Sequence, residues 1–378
     1  MRIQSYTITC VHTHSDTADY YYCPVSTTMK TLRKILAVDI GAGTQDILLY
    51  DTSLTPENCI SLILPTPTRY FAQLIQECDQ DLFINGNPIG GGALSSCLAQ
   101  HIKKGYRVTM TEEAAYTVRN NLREVASRGI EIAHDAGAEG FKGTTLSLQE
   151  INRVVLKDFL AYVGERLDVD LVAIAVQDHG MPPEGTSNRE YRFSIIEEHL
   201  KHNNAPEQFV YTPHEIPPSF KRMNAAVRAA KTQYGCPVVA MDTSFAAILG
   251  CMDESPSAVF VNVGNSHTLA ALIRAGRIEG LLEHHTSCLT SEKLDNLLVR
   301  FLKGEIRSRD VLEDGGHGAV LLNARGTERN EEIIVTGPQR GMMEKSNLKV
   351  RFAAPHGNMM LTGPFGLVKG AYLKYGSS

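Results

Sequence analysis

The sequence predicts an α/β fold made of two related lobes, and three observations predict it. Strand-like apolar runs alternate with helical spacing along most of the chain. Two of those runs, at 171–176 and 237–241, are continuously apolar, as in strands covered on both faces. One hairpin design also occurs twice. Val38-Asp39-Ile40-Gly41-Ala42-Gly43-Thr44 lines up with Val261-Asn262-Val263-Gly264-Asn265-Ser266-His267, about 220 residues later, and each string is followed by a second apolar run.

The elements follow in order. The first 28 residues read polar and aromatic, without the apolar core of a signal peptide. Residues 1–30 are expected to be a disordered leader, or else Met29 to be the natural start. Cys10, His12, His14 and Cys23 match no zinc-finger spacing. Residues 35–51 form the first hairpin, and 62–64 add a third strand. Residues 66–147 are less regular and read as an inserted module. It holds the loop NGNPIGGG, a helix over 93–103, a strand over 106–110, a helix from Glu112, and the loop HDAGAEGFKGTT.

Ser147 and Glu150 then read as a capping box, opening a helix with Leu148, Ile151, Val155, Phe159 and Val163 at helical spacing. The buried strand 171–176 follows, then a polar connection, a helix over 220–234, the strand 237–241 and the short helix FAAILG. The second hairpin spans 258–273. A strand near 277–282, a helix over 291–302, a strand over 331–336 and a closing helix over 365–374 complete the chain.

Composition narrows the function classes. With 378 residues, 43% hydrophobic and 21% charged, the chain suits two or three compact units. A net charge of −5 gives no footprint for nucleic acid, and no apolar stretch reaches the length of a membrane span. The eight cysteines contain no CxxC pair and no CxxxCxxC triplet, which argues against a local zinc ribbon or iron–sulfur loop. A reducing, cytoplasmic location is the simplest expectation.

A glycine turn between strands lets the backbone approach a ligand and aims successive N–H groups at one point, which suits a phosphate. The common phosphate motifs are absent. GAEGFKGTT places its lysine before glycine rather than Ser/Thr, and a strand follows GAGTQD where a dinucleotide fingerprint needs a helix. GGG at 90–92 could bind an anion at a helix start, or be a simple loop. His179, His267, His285, His317 and His356 each lie beside a glycine turn or strand end, and could converge on one cleft. Histidine there suits proton transfer, phosphate contact or metal ligation. Asp178, next to His179 at the end of a buried strand, is a candidate base.

The hairpin with Asp39 at its strand end, then Gly41, Gly43 and Thr44, resembles the first phosphate loop of the actin-like ATPase superfamily. The hairpin with Asn262, Gly264, Asn265 and His267 stands where its second phosphate loop falls. IIVTGPQRG, with Gly337, resembles its adenosine motif, and residues 237–250 resemble the connecting segment, which places Asp242 towards the γ-phosphate. The resemblance implies two duplicated ribonuclease H-like lobes with ATP and Mg²⁺ between them. Lobe I would hold 31–65 and 148–255, the insert 66–147, and lobe II 256–360, with 361–378 returning to lobe I. Asp39 and Asp242 would hold the metal, and Asp242, Asp178 or His179 would act as base.

One departure is Asn262, where the superfamily has aspartate; a neutral amide attracts Mg²⁺ far less. More narrowly, GNPIGGG, DHG, MDTSFAAILG, GNSHT, DGGHGA and MMLTGPFGL resemble an actin-fold family labelled "pyruvate formate-lyase activating enzyme-like". Activating enzymes of that kind are radical-SAM proteins with a cysteine triplet, which this chain lacks, so only the fold is implied. The implied activity is Mg-dependent phosphotransfer or ATP hydrolysis on a small molecule or partner protein. The alternatives are a nucleotide-gated switch with little turnover and a His-rich metal-dependent hydrolase.

Overall fold

The computed structural model describes residues 32–133, 140–252, 255–322 and 331–376. The expectations for the leader, and for most of the loop HDAGAEG, lie outside the described residues. The chain runs β1 (Lys34–Ile40), β2 (Thr44–Asp51), β3 (Ile60–Pro65), α1 (Pro67–Glu77), β4 (Leu82–Gly86), α2 (Gly92–Lys103), β5 (Val108–Thr111), α3 (Glu112–Ala115), α4 (Leu122–Ser127), β6 (Ile130–Ala133) and β7 (Thr144–Leu148). Next come α5 (Arg153–Tyr162), β8 (Leu171–Val176), α6 (Asn188–His202), β9 (Val210–Tyr211), α7 (Lys221–Tyr234), β10 (Val238–Met241) and α8 (Thr243–Cys251). The last stretch holds β11 (Ala258–Val263), β12 (His267–Arg274), β13 (Arg277–His285), α9 (Ser291–Lys303), α10 (Ser308–Glu313), β14 (Gly318–Leu321), β15 (Ile333–Thr336), β16 (Val350–Phe352) and α11 (Thr362–Tyr375).

Two sheets repeat one plan. The first has the order β3-β2-β1-β8-β10-β9, and the second β14-β13-β12-β11-β15-β16. In each, a central strand (β1 or β11) has an antiparallel hairpin partner on one side and parallel strands on the other, except that the edge strand β9 runs antiparallel to β10. This is the duplicated ribonuclease H-like architecture of actin-like ATPases, and it rests on strand order alone. A third, all-parallel sheet, β6-β5-β4-β7, has its own apolar core around Ile75, Leu82, Ile84, Leu98 and Met110.

The strand β8 shows why an unbroken apolar run is required. Leu171, Ala173 and Ala175 face one core, while Val172, Ile174 and Val176 face another. The first of these cores also takes in Ala258, Phe260 and Leu269 of the second sheet. Between the sheets α8 and α11 cross with almost no room. A Cβ at Gly250 would lie 1.9 Å from the Thr362 carbonyl oxygen, and one at Gly366 would lie 1.8 Å from that of Ala246. Gly366→Ala is therefore expected to push the helices apart and cost about 1–3 kcal/mol, read as a lowered denaturation midpoint.

Three expectations fail locally. Ser147 lies in β7 rather than at a helix start, and Glu150 is buried against Arg222, so no capping box forms there. The helix starts instead at Asn152, whose side chain accepts from Val155 N–H. Its buried residues are Leu156 and Leu160; Val155, Phe159 and Val163 face outward, so the apolar spacing marked the wrong face. The polar connection after β8 contains α6, whose faint apolar periodicity hid it. A complete Ser187–Glu190 capping box opens that helix, and Ser187→Ala should cost about 1 kcal/mol in thermal unfolding.

Candidate functional site

The two glycine hairpins face each other across a cavity of about 420 Å³. Each turn is closed by the same bond. Gly41 N–H donates to the Thr44 carbonyl and Gly264 N–H to that of His267, both at 3.0 Å. The turns nearly touch, since a Cβ on Gly43 would lie 2.3 Å from Asn265 Nδ2. Nine expected residues line the cavity: Asp39, Gly41, Thr44, Asp178, His179, Asn262, Gly264, Asn265 and His267.

Gly43, Gly337 and Asp242 are not among the lining residues. Gly43 is wedged against Asn265. Gly337 adopts φ +99° and packs behind the second hairpin, where a Cβ would lie 2.4 Å from the Val263 carbonyl oxygen; Pro338 takes its place at the wall. Asp242 is held elsewhere. One of its oxygens caps α8 by accepting from Ser244 N–H at 2.9 Å, and the other pairs with Arg192 Nη1 at 3.0 Å. Oδ2 is ion-paired but accepts no hydrogen bond, and the Asp242 charge acts on Asp39.

Asp46 takes the place beside Asp39. The β1–β2 register sets the two opposite each other, so both side chains share one face of the hairpin. Both are buried, and one oxygen of each has no hydrogen-bond partner. Burial, with the nearby charges of Asp46 and Asp242, raises Asp39 well above the ordinary carboxylate range. Burial pushes Asp46 up to about 7, opposed by a hydrogen bond from Thr44. The sequence signal was the tight turn itself, which fixes the pairing of 39 with 46. The repeat explains the asymmetry of charge, because Asn262 and Leu269 occupy the matching places in the second hairpin.

Holding its proton to high pH, Asp46 contributes stability that is full below about pH 4 and lost as the pH rises through about 7. In the absence of divalent cations, wild type should lose stability relative to Asp46→Asn across that window. Thermal unfolding at a series of pH values checks this, and parallel curves would refute it.

Asp178 lines the cavity but is also engaged. Its oxygens accept from Gly180 N–H at 2.9 Å and Met223 N–H at 3.0 Å, tying the end of β8 to the first turn of α7. Burial raises its pKa against those bonds. Below it lies a charge centre that sequence reasoning missed. Arg192 of α6 donates to both oxygens of Glu283 on β13 at 2.9–3.2 Å, and to the Asp178 carbonyl at 2.9 Å. It thus joins the first sheet's site loop to the second sheet. Burial works against the Arg192 charge, but Asp242 and Glu283 outweigh it and hold the guanidinium above its ordinary range. Burial alone would raise Glu283; Arg192 brings it below its ordinary value.

Four of the five loop histidines converge. His179, His267 and His317 offer ring nitrogens within 4.8 Å of one another, and the His285 ring centroid lies 4.7 Å from those of both His267 and His317. His356 stands apart, half-exposed against Phe365 and 3.6 Å from Glu57. Burial lowers His179 to about 4 and both His267 and His317 to about 2, so all three rings are neutral at pH 7. Both ring nitrogens of His267 and of His317 are buried without a hydrogen-bond partner. Leaving such groups unmatched costs about 1–3 kcal/mol each.

The third sheet supplies the cavity's remaining wall through Thr68, Ile89–Ala93 and Tyr116–Asn120. Gly91 sits at the start of α2, where a Cβ would lie 2.0 Å from the Thr117 carbonyl oxygen. Arg119 and Arg222 bring positive charge to this side, Arg222 being paired with buried Glu150.

A family model described as "Putative pyruvate format-lyase activating enzyme (DUF1786)" matches residues 89–342, about two thirds of the chain, and the chain belongs to that family. No curated protein matches it. Among solved structures, ethanolamine utilization protein EutJ from Carboxydothermus hydrogenoformans is 12% identical with a TM-score of 0.31, over 90% of this chain and 92% of that one. The inorganic polyphosphate/ATP-glucomannokinase from Arthrobacter sp. strain KM is 11% identical with a TM-score of 0.36, over 90% and 99%. A PilM–PilN type IV pilus biogenesis complex is 12% identical with a TM-score of 0.34, over 91% and 99%.

Proposed function

We propose that this family member binds Mg-ATP between its two glycine hairpins and transfers or hydrolyses the terminal phosphate. The observation that carries this reading is the pair of buried carboxylates, Asp39 and Asp46, each with an unpartnered oxygen, beside facing glycine turns. Hard, oxygen-only donors of that kind fit Mg²⁺. The metal ligands would be Asp39 and Asp46, in place of the expected Asp39 and Asp242. When bound, Mg²⁺ would neutralise phosphate charge, the main requirement of such transfer.

The chain's own groups do the positioning. The turns at 41–44 and 264–267 present backbone to the phosphates, with Asn262 as a neutral hydrogen-bonding wall. Thr243 and Ser244, at the start of α8, line the same cavity. Pro338 would bound the adenosine side. Gly90 and Gly91, the start of α2 and Arg119, on the opposite wall, would hold the acceptor, a small molecule or a partner protein. The unpaired thiols of Cys59, Cys78 and Cys97 support a reducing, cytoplasmic setting; among the described residues no helix is long and apolar enough to cross a membrane.

A switch with little turnover is the second reading, and one observation favours it. Asp242 and Asp178 both have their carboxylates engaged, so neither is free to take a proton from water. Calorimetric titration with a non-hydrolysable ATP analogue, with and without Mg²⁺, tests the shared premise. Saturable, Mg-dependent binding is expected, and its absence would refute both readings. Phosphate release then separates them.

A further inference from the structure

We propose that His179, His267 and His317 form a binding site for a divalent transition metal, Zn²⁺ or Fe²⁺, at the floor of the cavity between the sheets. The three come from separate elements: the loop after β8, the start of β12, and the residue before β14. Their nitrogens lie within 4.8 Å of one another, and among the described residues no other group of His, Cys, Asp and Glu converges in this way. Tetrahedral Zn–N bonds of about 2.0–2.1 Å bring ligand nitrogens to about 3.4 Å, within reach of small ring rotations.

The surroundings suit a cation more than a packed apolar core. All four ring nitrogens of His267 and His317 are buried and lack partners. Hydrogen-bonded core histidines elsewhere in the chain differ: His101 Nε2 meets the Gln80 carbonyl at 2.9 Å, and His284 Nε2 meets Asp314 at 3.2 Å. Two buried carboxylates, Glu283 and Asp242, flank Arg192 nearby. His179 and His267 line the cavity while His317 lies behind them, so the fourth position faces the space between the hairpins. Three neutral imidazoles with one open position select Zn²⁺ or Fe²⁺ over Mg²⁺. That open position would take water or an anionic oxygen.

The test uses the full chain without nucleotide or magnesium. Protein stripped with chelator is titrated with Co²⁺, and metal content after reconstitution with Zn²⁺ or Fe²⁺ is read by mass spectrometry. Saturation at ~1 metal per chain, with the visible absorption of low-coordinate cobalt, is expected. His317→Ala and His179→Ala should each lower cobalt affinity at least ~10-fold, while His356→Ala should leave it unchanged; far-ultraviolet dichroism confirms folding. No visible band in wild type, or equal uptake by folded His317→Ala, overturns the site. Because Asp39→Asn should keep its cobalt, failure here leaves the nucleotide reading standing, and the reverse also holds.

Discussion

Replacing Arg192 with methionine is expected to destabilise the protein by about 3–5 kcal/mol, because it leaves two buried carboxylates without their partner. Glu283 is fully buried and Asp242 nearly so, and Arg192 is the cation paired with both. The ion pair spans the first and second sheets, so the loss should appear as a lower denaturant midpoint and as earlier exposure of the cavity to hydrogen exchange. Adding Glu283→Gln to Arg192→Met should recover part of the loss, since one uncompensated charge is then removed. A single-variant cost below about 1 kcal/mol would mean that water already solvates these groups.

Asp39→Asn is expected to cut Mg-dependent turnover at least ~100-fold, the scale of losing one preorganised electrostatic group. The same change should raise thermal stability. Asp39 is buried near Asp46 and Asp242, and its raised pKa records the cost of keeping a charge there. Opposite signs for activity and stability distinguish a functional carboxylate from a structural one. Should the variant melt earlier and keep its turnover, Asp39 would be a turn-capping residue. Gly363 sets the limits of the site, since a Cβ there would lie 1.9 Å from Asp39 Oδ2. Gly363→Ala should therefore displace the Asp39 carboxylate while leaving the hairpin intact.

Much of the scaffold was legible because its signals are local. The repeated hairpin could be read from glycines at matching offsets, and β8 and β10 from unbroken apolar runs. Helix starts were less legible. Ser-x-x-Glu occurs at both 147 and 187, yet only the second caps a helix, because Glu150 is drawn away by Arg222. Short-range patterns compete with distant partners for the same side chain, and a buried ion pair outranks a solvent-exposed cap.

The site divides in the same way. By itself the sequence determined the two glycine turns, the carboxylate before the first and the amide before the second, since each depends only on chain neighbours and strand register. Which carboxylates Arg192 neutralises was decided by the docking of α6 between the sheets. The meeting of His179, His267, His285 and His317, and the exclusion of His356, was decided the same way. Those contacts link residues up to about 140 positions apart. They exist because the shared core around Ala173, Phe260 and α11 holds one sheet in register with the other, a balance spread over many side chains that no single motif records.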